Sequence, residues 1–481
     1  MRHSFDLPPA PRSRRGVPRH SGPLLGRLLI AGTFCLAGSA WGADIAEIYA
    51  QAVDNDPVLA QQRASAASRK WGVAIARSSF LPQANANAGR SQSSNRSDSI
   101  DTNPNSPNFG RPTPETTSTS QSWGAGVNQT VLNMQSWFGY RGAKERARQA
   151  DWDLENTSQL LVTRVAAAYL NVLTRQASLE SAAAAEEAVR RQLEQVQQRY
   201  DVGLDAITGV LESKAAYDRA EETRIQAESD LWISFEALRT LTGVAYAQID
   251  RIAADLPIVD PEPNDEDAWV DTAMSTNFRI RSRQNALTAA EHDLKGQMSA
   301  HLPTISASAS YGNSSGQQSF GGVLLPSRPA TTYTSYSLNF QMPLFSGLRV
   351  HAGVKQARLN LEQARQALIG EELTVAEEVR TRFRQVVTDV VRVAARAEAI
   401  KSAEAAMEAT ETGYDVGTRN IVDVLLAQQN LFLAQFNYQQ SRHNYVLNML
   451  RLKESAGTLS ANDIVELNTH MDADNPVQKV Q

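Results

Sequence analysis

Covalent chemistry needs convergent nucleophiles, bases or metal ligands, and this sequence offers few. Five histidines follow residue 43, His292, His301, His351, His443 and His470, and they are too dispersed for a zinc site. The one cysteine, Cys35, cannot pair within the chain or build a thiolate cage. The sequence contains no phosphate loop, nucleophile elbow, zincin helix or calcium loop. The expectation is a protein that is not an enzyme and takes no cofactor. Two patterns point instead to work done with charge and shape. Asp423 follows Arg419 by four residues, so both lie on one helical face. Tyr200-Asp201-Val202-Gly203 recurs letter for letter as Tyr414-Asp415-Val416-Gly417. Gly203 and Gly417 suit helix ends that need φ > 0, with Asp205 and Asn420 as N-caps of the helices that restart. Each pattern reads as the tip of a helical hairpin. Taken alone, the Arg419–Asp423 spacing is an exposed ion pair contributing a few tenths of a kcal/mol, and the glycine motif merely makes a turn.

The elements that must position these tips are long. Ala143–Val202, Val210–Thr242, Glu371–Thr412 and Thr418–Ala456 lack Gly and Pro and are rich in Ala, Glu, Gln, Arg and Leu, all good helix formers. The first would run roughly 90 Å at about 1.5 Å per residue, against about 11–12 residues for a typical helix. Leu160, Leu161, Val165, Ala168, Tyr169, Val172 and Leu173 recur at three and four, which suits coiled-coil-like packing.

Four other segments alternate every second residue. Trp123, Ala125, Val127, Gln129 and Val131 alternate with Gly124, Gly126, Asn128 and Thr130. Ile305, Ala307, Ala309 and Tyr311 alternate with threonine and serines; Tyr336, Leu338, Phe340, Met342 and Leu344 alternate with Ser335, Ser337, Asn339 and Gln341. Leu81 to Arg90 does so more weakly. Ten-residue segments with one apolar and one polar face suit membrane barrel strands. Trp123, Trp137, Phe138, Tyr333, Tyr336 and Phe345 lie at or near their ends, where aromatic girdles form; packing between strand and helix is the competing reading for Trp137, Phe138 and Phe345.

The chain repeats itself. Leu81-Pro82 returns as Leu302-Pro303, Gln129 and Leu132 as Gln341 and Leu344, and Ile207, Val210 and Leu211 as Ile421, Val424 and Leu425. The unit is helix, strand, strand, helix, helix. The first copy spans 44–264: strands about 81–90 and 122–132 around an extracellular loop 91–120, helices about 136–202 and 205–243, and a segment 244–264. The second spans 265–456: strands about 302–312 and 333–345 around a loop 313–332, then helices about 348–416 and 418–456. A tail, 457–481, follows. Four strands cannot close a barrel, since an open edge in lipid leaves backbone groups unsatisfied and small barrels start at about eight strands. A dimer would supply eight and a trimer twelve.

Residues 1–43 read as an export signal: five arginines from Arg12 to Arg27, an apolar run from Leu28 to Ala37, then Ala40-Trp41-Gly42 as a small-x-small cleavage pattern. Phe34 precedes Cys35, which argues against lipid attachment. The cleavage site is defined only to about three residues. Without those residues the formal charge falls from −5 to −10, with no basic block, which argues against nucleic-acid binding. No apolar run of 18 residues follows them, so a membrane-embedded form would use strands.

With these residues in view, the sequence resembles the TolC family of outer-membrane efflux and secretion channels. The resemblance runs from Asp44-Ile45-Ala46-Glu47-Ile48-Tyr49 and Asn55-Asp56-Pro57, through the repeated Tyr-Asp-Val-Gly turns and Gly417 to Leu425, to Gly457-Thr458-Leu459. It implies a mixed α+β fold in which a homotrimer shares a twelve-strand β-barrel in the outer membrane above a long α-helical tunnel in the periplasm. It also implies an equatorial band, at Val244–Trp269 and the tail after Gly457. The partners it implies are a periplasmic adaptor protein, docking at Gly203, Leu204, Gly417 and Thr418, and through it an inner-membrane transporter of RND, ABC or MFS type, with no nucleic acid. It makes Asp423 a ring of carboxylates at the pore constriction. A second acidic position one turn on is Leu426 here. It makes Tyr414 and Arg419 donors of a gate lock, with Thr208 and Gln192 as acceptors. The main acidic acceptor aligns with Gly209, so the lock is either looser or uses another carboxylate, Asp205 or Asp415. The alternative is a periplasmic coiled-coil adaptor or scaffold without a pore, which leaves the amphipathic strands unexplained. Cargo, drugs or secreted proteins, is not legible, nor is which pump.

Overall fold

The structure, a computed structural model, describes residues 43–96, 99–106, 109–112 and 115–479. The export signal thus lies outside the described residues, apart from Ala43. Each half of the chain opens with two short helices, α1 (Ile45–Asn55) and α2 (Pro57–Ser78). A strand pair follows, β1 (Gln83–Asn95) and β2 (Thr116–Leu132), then two long helices, α3 (Met134–Asp201) and α4 (Ile207–Thr242). A short strand β3 (Gln248–Ile252) leads into the second half: α5 (Glu266–Thr276), α6 (Phe278–Met298), β4 (Thr304–Phe320), the two-residue β5 (Val323–Leu324) and β6 (Arg328–Gln341). Helices α7 (Arg349–Asp415), α8 (Ile421–Ala456) and α9 (Ala461–Asn468) and strand β7 (Met471–Gln478) complete the chain. The duplication is visible in lengths: 68 and 67 residues for α3 and α7, and 36 each for α4 and α8. At about 1.5 Å per residue α3 is roughly 100 Å long.

The strands of the two halves form one antiparallel sheet, ordered β1–β2–β4–β6, with β5 pairing only the far end of β4. Residues opposite one another share a face. Ala86, Ala125 and Tyr311 are in register, as are Ala84, Val127, Ala309 and Tyr336. Leu338 and Phe340 join that apolar face opposite Ala307 and Ile305. Asn85, Gly126, Ser310 and Ser335 line the other. Tyr336, Leu338 and Phe340 are 81%, 74% and 64% exposed, which hydrocarbon tolerates and water does not. Among the described residues the outer edges of β1 and β6 have no partner strand.

Strand bounds differ from the sequence expectation. The sequence pattern predicts loops at 91–120 and 313–332, yet strands occupy 91–95, 116–120, 313–320 and 328–332. These residues are Ser-, Thr- and Gln-rich, and cross-strand pairing rather than intrinsic preference holds them. Ser91 and Ser120, directly opposite, approach to 2.7 Å between their hydroxyls. At the other end β6 stops at Gln341 instead of 345, just before Pro343, which has no N–H for a ladder.

Tyr333 leaves the expected girdle. It pairs with Gly312 on the polar face, and a Cβ at Gly312 would lie 2.6 Å from the Tyr333 hydroxyl. The phenol therefore covers Gly312, and its hydroxyl also comes within 3.3 Å of a Cβ position at Gly124. Trp123 and Tyr311 meet edge-on at 5.8 Å on the apolar face. Trp137 packs with Phe80 and Tyr140, and Phe138 stacks on His292, so these two follow the packing reading, whereas Phe345 is 82% exposed.

Among the described residues two apolar cores hold the helices. The larger gathers Ile45 and Ile48 of α1, Leu161 to Leu173 of α3, Leu231 and Phe235 of α4, and Leu450 and Leu452 of α8 around the β3–β7 sheet. Within it Tyr169 is fully buried and donates to the Asp250 carbonyl at 2.6 Å. The smaller core, at the hairpin tips, packs Val196, Val210, Met407, Tyr414, Ile421 and Val424. Among the described residues no helix is long and apolar enough to cross a membrane.

One buried titratable group makes the larger assembly of helices sensitive to acid. His443 on α8 is 8% exposed and lies 2.8 Å from the Thr174 hydroxyl of α3. That hydroxyl donates to the Leu170 carbonyl, so Nδ1 of His443 carries the proton and donates to Thr174. Burial, with the Arg442 guanidinium adding to it, pushes the imidazole down to about 4. The unfolded chain therefore takes up a proton near pH 6.5 that the folded chain refuses until about pH 4. Stability is complete above pH 6.5, is lost as pH falls toward 4, and levels off below. The loss is on the order of 3 kcal/mol. The expected result is that acid lowers the thermal midpoint of the wild type more than that of His443→Gln; parallel midpoints from pH 7 to 4 would show that His443 does not contribute.

Candidate functional site: the hairpin tips

Both tips close with the same six-residue geometry. At the first, Leu204 N–H donates to the Arg199 carbonyl and Gly203 N–H to the Tyr200 carbonyl, 2.8 and 2.9 Å, with Gly203 at φ 81°. At the second, Thr418 bonds Gly413 and Gly417 bonds Tyr414, 2.8 and 3.0 Å, with Gly417 at φ 79°. This double bond satisfies carbonyls that a helix end leaves bare, and only glycine takes that φ without strain. Val202, Leu204 and Val416 stand exposed at the apices, and Gly203, Gly417 and Thr418 are exposed beside them.

The helix restarts differ from one another. Asn420 caps α8 as expected: its carboxamide accepts from Asp423 N–H at 2.9 Å, while the Asp423 carboxylate accepts from Asn420 N–H at 3.4 Å. Asp423 is therefore the far half of a capping box, a role its place three residues after Asn420 could have signalled. The same carboxylate lies 3.9 Å from Arg419. Asp205 is not the cap of α4. That position is Ala206, which makes no side-chain cap bond, and Asp205 accepts from the Ala206 N–H at 2.9 Å instead.

The Asp205 carboxylate is thereby free to reach the other hairpin. Tyr414 donates its hydroxyl to Asp205 Oδ2 at 3.3 Å. Arg199 approaches the same oxygen at 3.5 Å and lies over the Tyr414 ring, 5.1 Å from its centre. Tyr414 is 7% exposed; burial and then the Asp205 carboxylate push its phenol above its ordinary value, so it remains a donor at neutral pH. Gly209 explains the room. A Cβ built there would touch Asp205 Oδ1 at 3.4 Å and Val196 at 3.6 Å, so the bare glycine leaves space that the Asp205 carboxylate adjoins.

The remaining residues singled out in the sequence are not joined to this cluster within the chain. Gln192 is 7% exposed, and its Nε2 has no hydrogen-bond partner. Thr208 is exposed. Arg419 turns to Asp423, and its side chain lies across Gly413, where a Cβ would come within 2.8 Å of Arg419 Cγ. Arg199 and Gly413 were missed: an arginine in a charged helix and a glycine four residues before the turn carry no spacing signal. Ser213 Oγ and Gln428 Oε1 are also buried without partners among the described residues. Among the described residues no three His, Cys, Asp or Glu side chains converge to hold a metal ion.

The chain as a whole is similar to known proteins. The profile of the family described as "Outer membrane efflux protein" matches residues 48–244 and 269–458, one stretch in each half. The chain is 33% identical to the "Outer membrane protein TolC" of Vibrio cholerae over 90% of its own length and 95% of that protein. It is 25% identical to the "Alkaline protease secretion protein AprF" of Pseudomonas aeruginosa over 70% of each. The solved structure of the Campylobacter jejuni CmeC outer membrane channel superposes with a TM-score of 0.69 at 17% identity, covering 89% of this chain and 90% of that one.

Proposed function

The chain belongs to the outer membrane efflux protein family, and on that premise we propose that its hairpin tips are the gate of a passive outer-membrane exit duct. The duct itself serves efflux and secretion, from the outer membrane with its helical tunnel in the periplasm. Channels of this kind work as trimers within tripartite pumps and secretion systems. The observation that carries the reading is the sheet: four strands with an exposed apolar face, a polar face, and two outer edges unpaired among the described residues. Three copies joined edge to edge close it as a barrel of twelve strands, the arrangement lipid requires. A scaffold without a pore has no use for such a face.

The finer assignments rest on the tips. Asp205, held by Tyr414 and Arg199, takes the place of the acidic acceptor absent at Gly209 and ties the two hairpins of each chain. Thr208, Gln192 and Arg419, left without lock partners inside one chain, are the groups available to the neighbouring hairpin. Asp423, partly exposed at the start of α8, forms the carboxylate ring of the constriction; with Leu426 one turn on, there is a single ring. Gly203, Leu204, Gly417 and Thr418 dock the periplasmic adaptor, which links the duct to an inner-membrane transporter of RND, ABC or MFS type. Drugs and secreted proteins are both admissible cargo, and a deletion strain assayed for drug sensitivity and for secreted protease separates them.

The test is the reversal potential of single channels in a planar bilayer, comparing wild type with Asp423→Asn. Asparagine keeps an oxygen for the capping box but removes the charge. Cation preference that falls several-fold in the variant supports the ring. Unchanged preference returns Asp423 to its capping role alone, and no channels from folded, inserted protein would overturn the duct.

A further inference from the structure

Strand β3 carries a buried acid that makes no ion pair among the described residues. Asp250 is 3% exposed, and no hydrogen bond reaches its Oδ1. It sits where the β3–β7 ladder breaks: Ile249 pairs with Val477 and Arg251 with Asp472, so the four residues 473–476 bulge out opposite Asp250 alone. Such irregularities re-aim a side chain. The flanking cations are committed elsewhere, Arg251 to Glu180 and Lys479 to Glu236, and the Tyr169 hydroxyl bonds the Asp250 backbone carbonyl rather than its carboxylate.

What surrounds Asp250 is further negative charge and oxygen. Ala43 pairs with Ile249 in parallel fashion, which brings Asp44 alongside Asp250. Asp44 accepts from Glu47 N–H through Oδ1 and from the Asn468 carboxamide through Oδ2, 2.6 and 3.1 Å. That bond uses the amide nitrogen of Asn468, and its carbonyl Oδ1 is buried without a partner. Glu47 and Asp472 are near enough to add to the burial that raises the Asp250 carboxyl. Two buried oxygens without partners, one of them on the side chain that bonds Asp44, and two further acids within electrostatic reach form an arrangement that burial penalises unless a cation joins it.

We propose that Asp250, Asp44 and the Asn468 carbonyl bind a divalent cation of calcium's chemistry, pinning the start of α1 to the β3–β7 sheet. The donors are all hard oxygens, two anionic and one neutral, which suits calcium or magnesium and not zinc or copper. The neutral amide oxygen and an irregular strand favour calcium's larger, adaptable shell over magnesium's strict octahedron, with waters completing it. The site is remote in sequence from the tips and independent of the gate reading.

The experiment uses the full mature protein in detergent, stripped with chelator. Bound calcium is measured by equilibrium dialysis, and thermal midpoints are read at one scan rate. Asp423→Asn serves as the background throughout, so that cations held at the constriction do not count. The expected result is about one calcium per chain and a midpoint raised by calcium more than by equal magnesium. Asp250→Asn and, separately, Asn468→Ala are expected to lose both the stoichiometry and the shift, while the exposed neighbour Asp474→Asn keeps them. Because Asn matches Asp in shape and removes repulsion, Asp250→Asn without calcium is expected to melt no lower than the stripped parent. No calcium bound by the parent, binding that survives both Asp250→Asn and Asn468→Ala, or a shift equal for magnesium would overturn the calcium site.

Discussion

In planar bilayers Asp205→Ala channels are expected to spend far more time open than wild type, with a correspondingly higher mean conductance. The Tyr414–Asp205 bond at 3.3 Å is worth about 1 kcal/mol net. Three copies around one axis sum to about 3 kcal/mol, roughly a hundredfold in the ratio of closed to open states. Tyr414→Phe removes the same bond from the other side but leaves Arg199 beside Asp205, and the double variant is expected to open no further than Asp205→Ala alone, since that variant already lacks the bond. The geometry also predicts a rescue. A side chain at position 209 meets only ordinary contacts, the nearest of them the Asp205 carboxylate itself, so Gly209→Asp placed on Asp205→Ala should restore a quiet channel by supplying the acceptor from the neighbouring turn. Conductance unchanged in both single variants would show that the tie between hairpins does not hold the gate. Single variants that open and add in the double would mean that the residues act separately.

A second large effect is expected where the helices end rather than where they turn. Gly243 and Gly457 close the two copies of the same helix, α4 and α8, at φ 71° and 74°. A Cβ on Gly243 would meet nothing nearer than Asn55 at 3.7 Å, whereas on Gly457 it would fall 2.7 Å from Asn277 Cα and 2.9 Å from the Thr276 carbonyl carbon. That is backbone against backbone, and the junction is tied there by Thr276 to the Ala456 carbonyl and Asn277 to that of Ser455. Gly243→Ala is expected to cost about 1–2 kcal/mol from the left-handed backbone alone, and Gly457→Ala about 3–5 kcal/mol once overpacking is added. Thermal midpoints at one scan rate, with the fraction of chain recovered in outer membranes, check this. Equal effects at the two glycines would mean that the α5–α6 junction yields easily.

Much of this architecture can be read from the letters because duplication writes it twice. The long helices announce themselves through the absence of Gly and Pro, and the turns through Tyr-Asp-Val-Gly. The strands were legible where large residues alternate, at Trp123 to Val131 and Tyr336 to Phe340. They were not legible at 91–95 or 313–320, where serine, asparagine and glutamine gain their strand from neighbours about 20 to 200 residues away. Tyr333 shows the same limit: its face depends on register with Gly312, which periodicity at a strand end does not define. At the tips, glycine punctuation gave the geometry, but the identity of the acid facing Tyr414 depended on empty space at Gly209. Absence of a side chain is the weakest mark a sequence can leave.

The two open edges of the sheet are chemically unlike. β1 contains no apolar side chain larger than alanine, whereas β6 carries Tyr336, Leu338 and Phe340 exposed along one face. A newly exported chain therefore has one adhesive margin and one inert one. Two β6 margins could stick but would set their tunnels in opposite directions across the bilayer, and two β1 margins have little to hold them. Only the unlike pairing satisfies backbone and hydrocarbon together, and each such step leaves one margin of each kind until the ring shuts. Assembly errors thus concentrate on a single strand. Periplasmic chaperoning of this protein needs to shield β6, and can leave β1 bare.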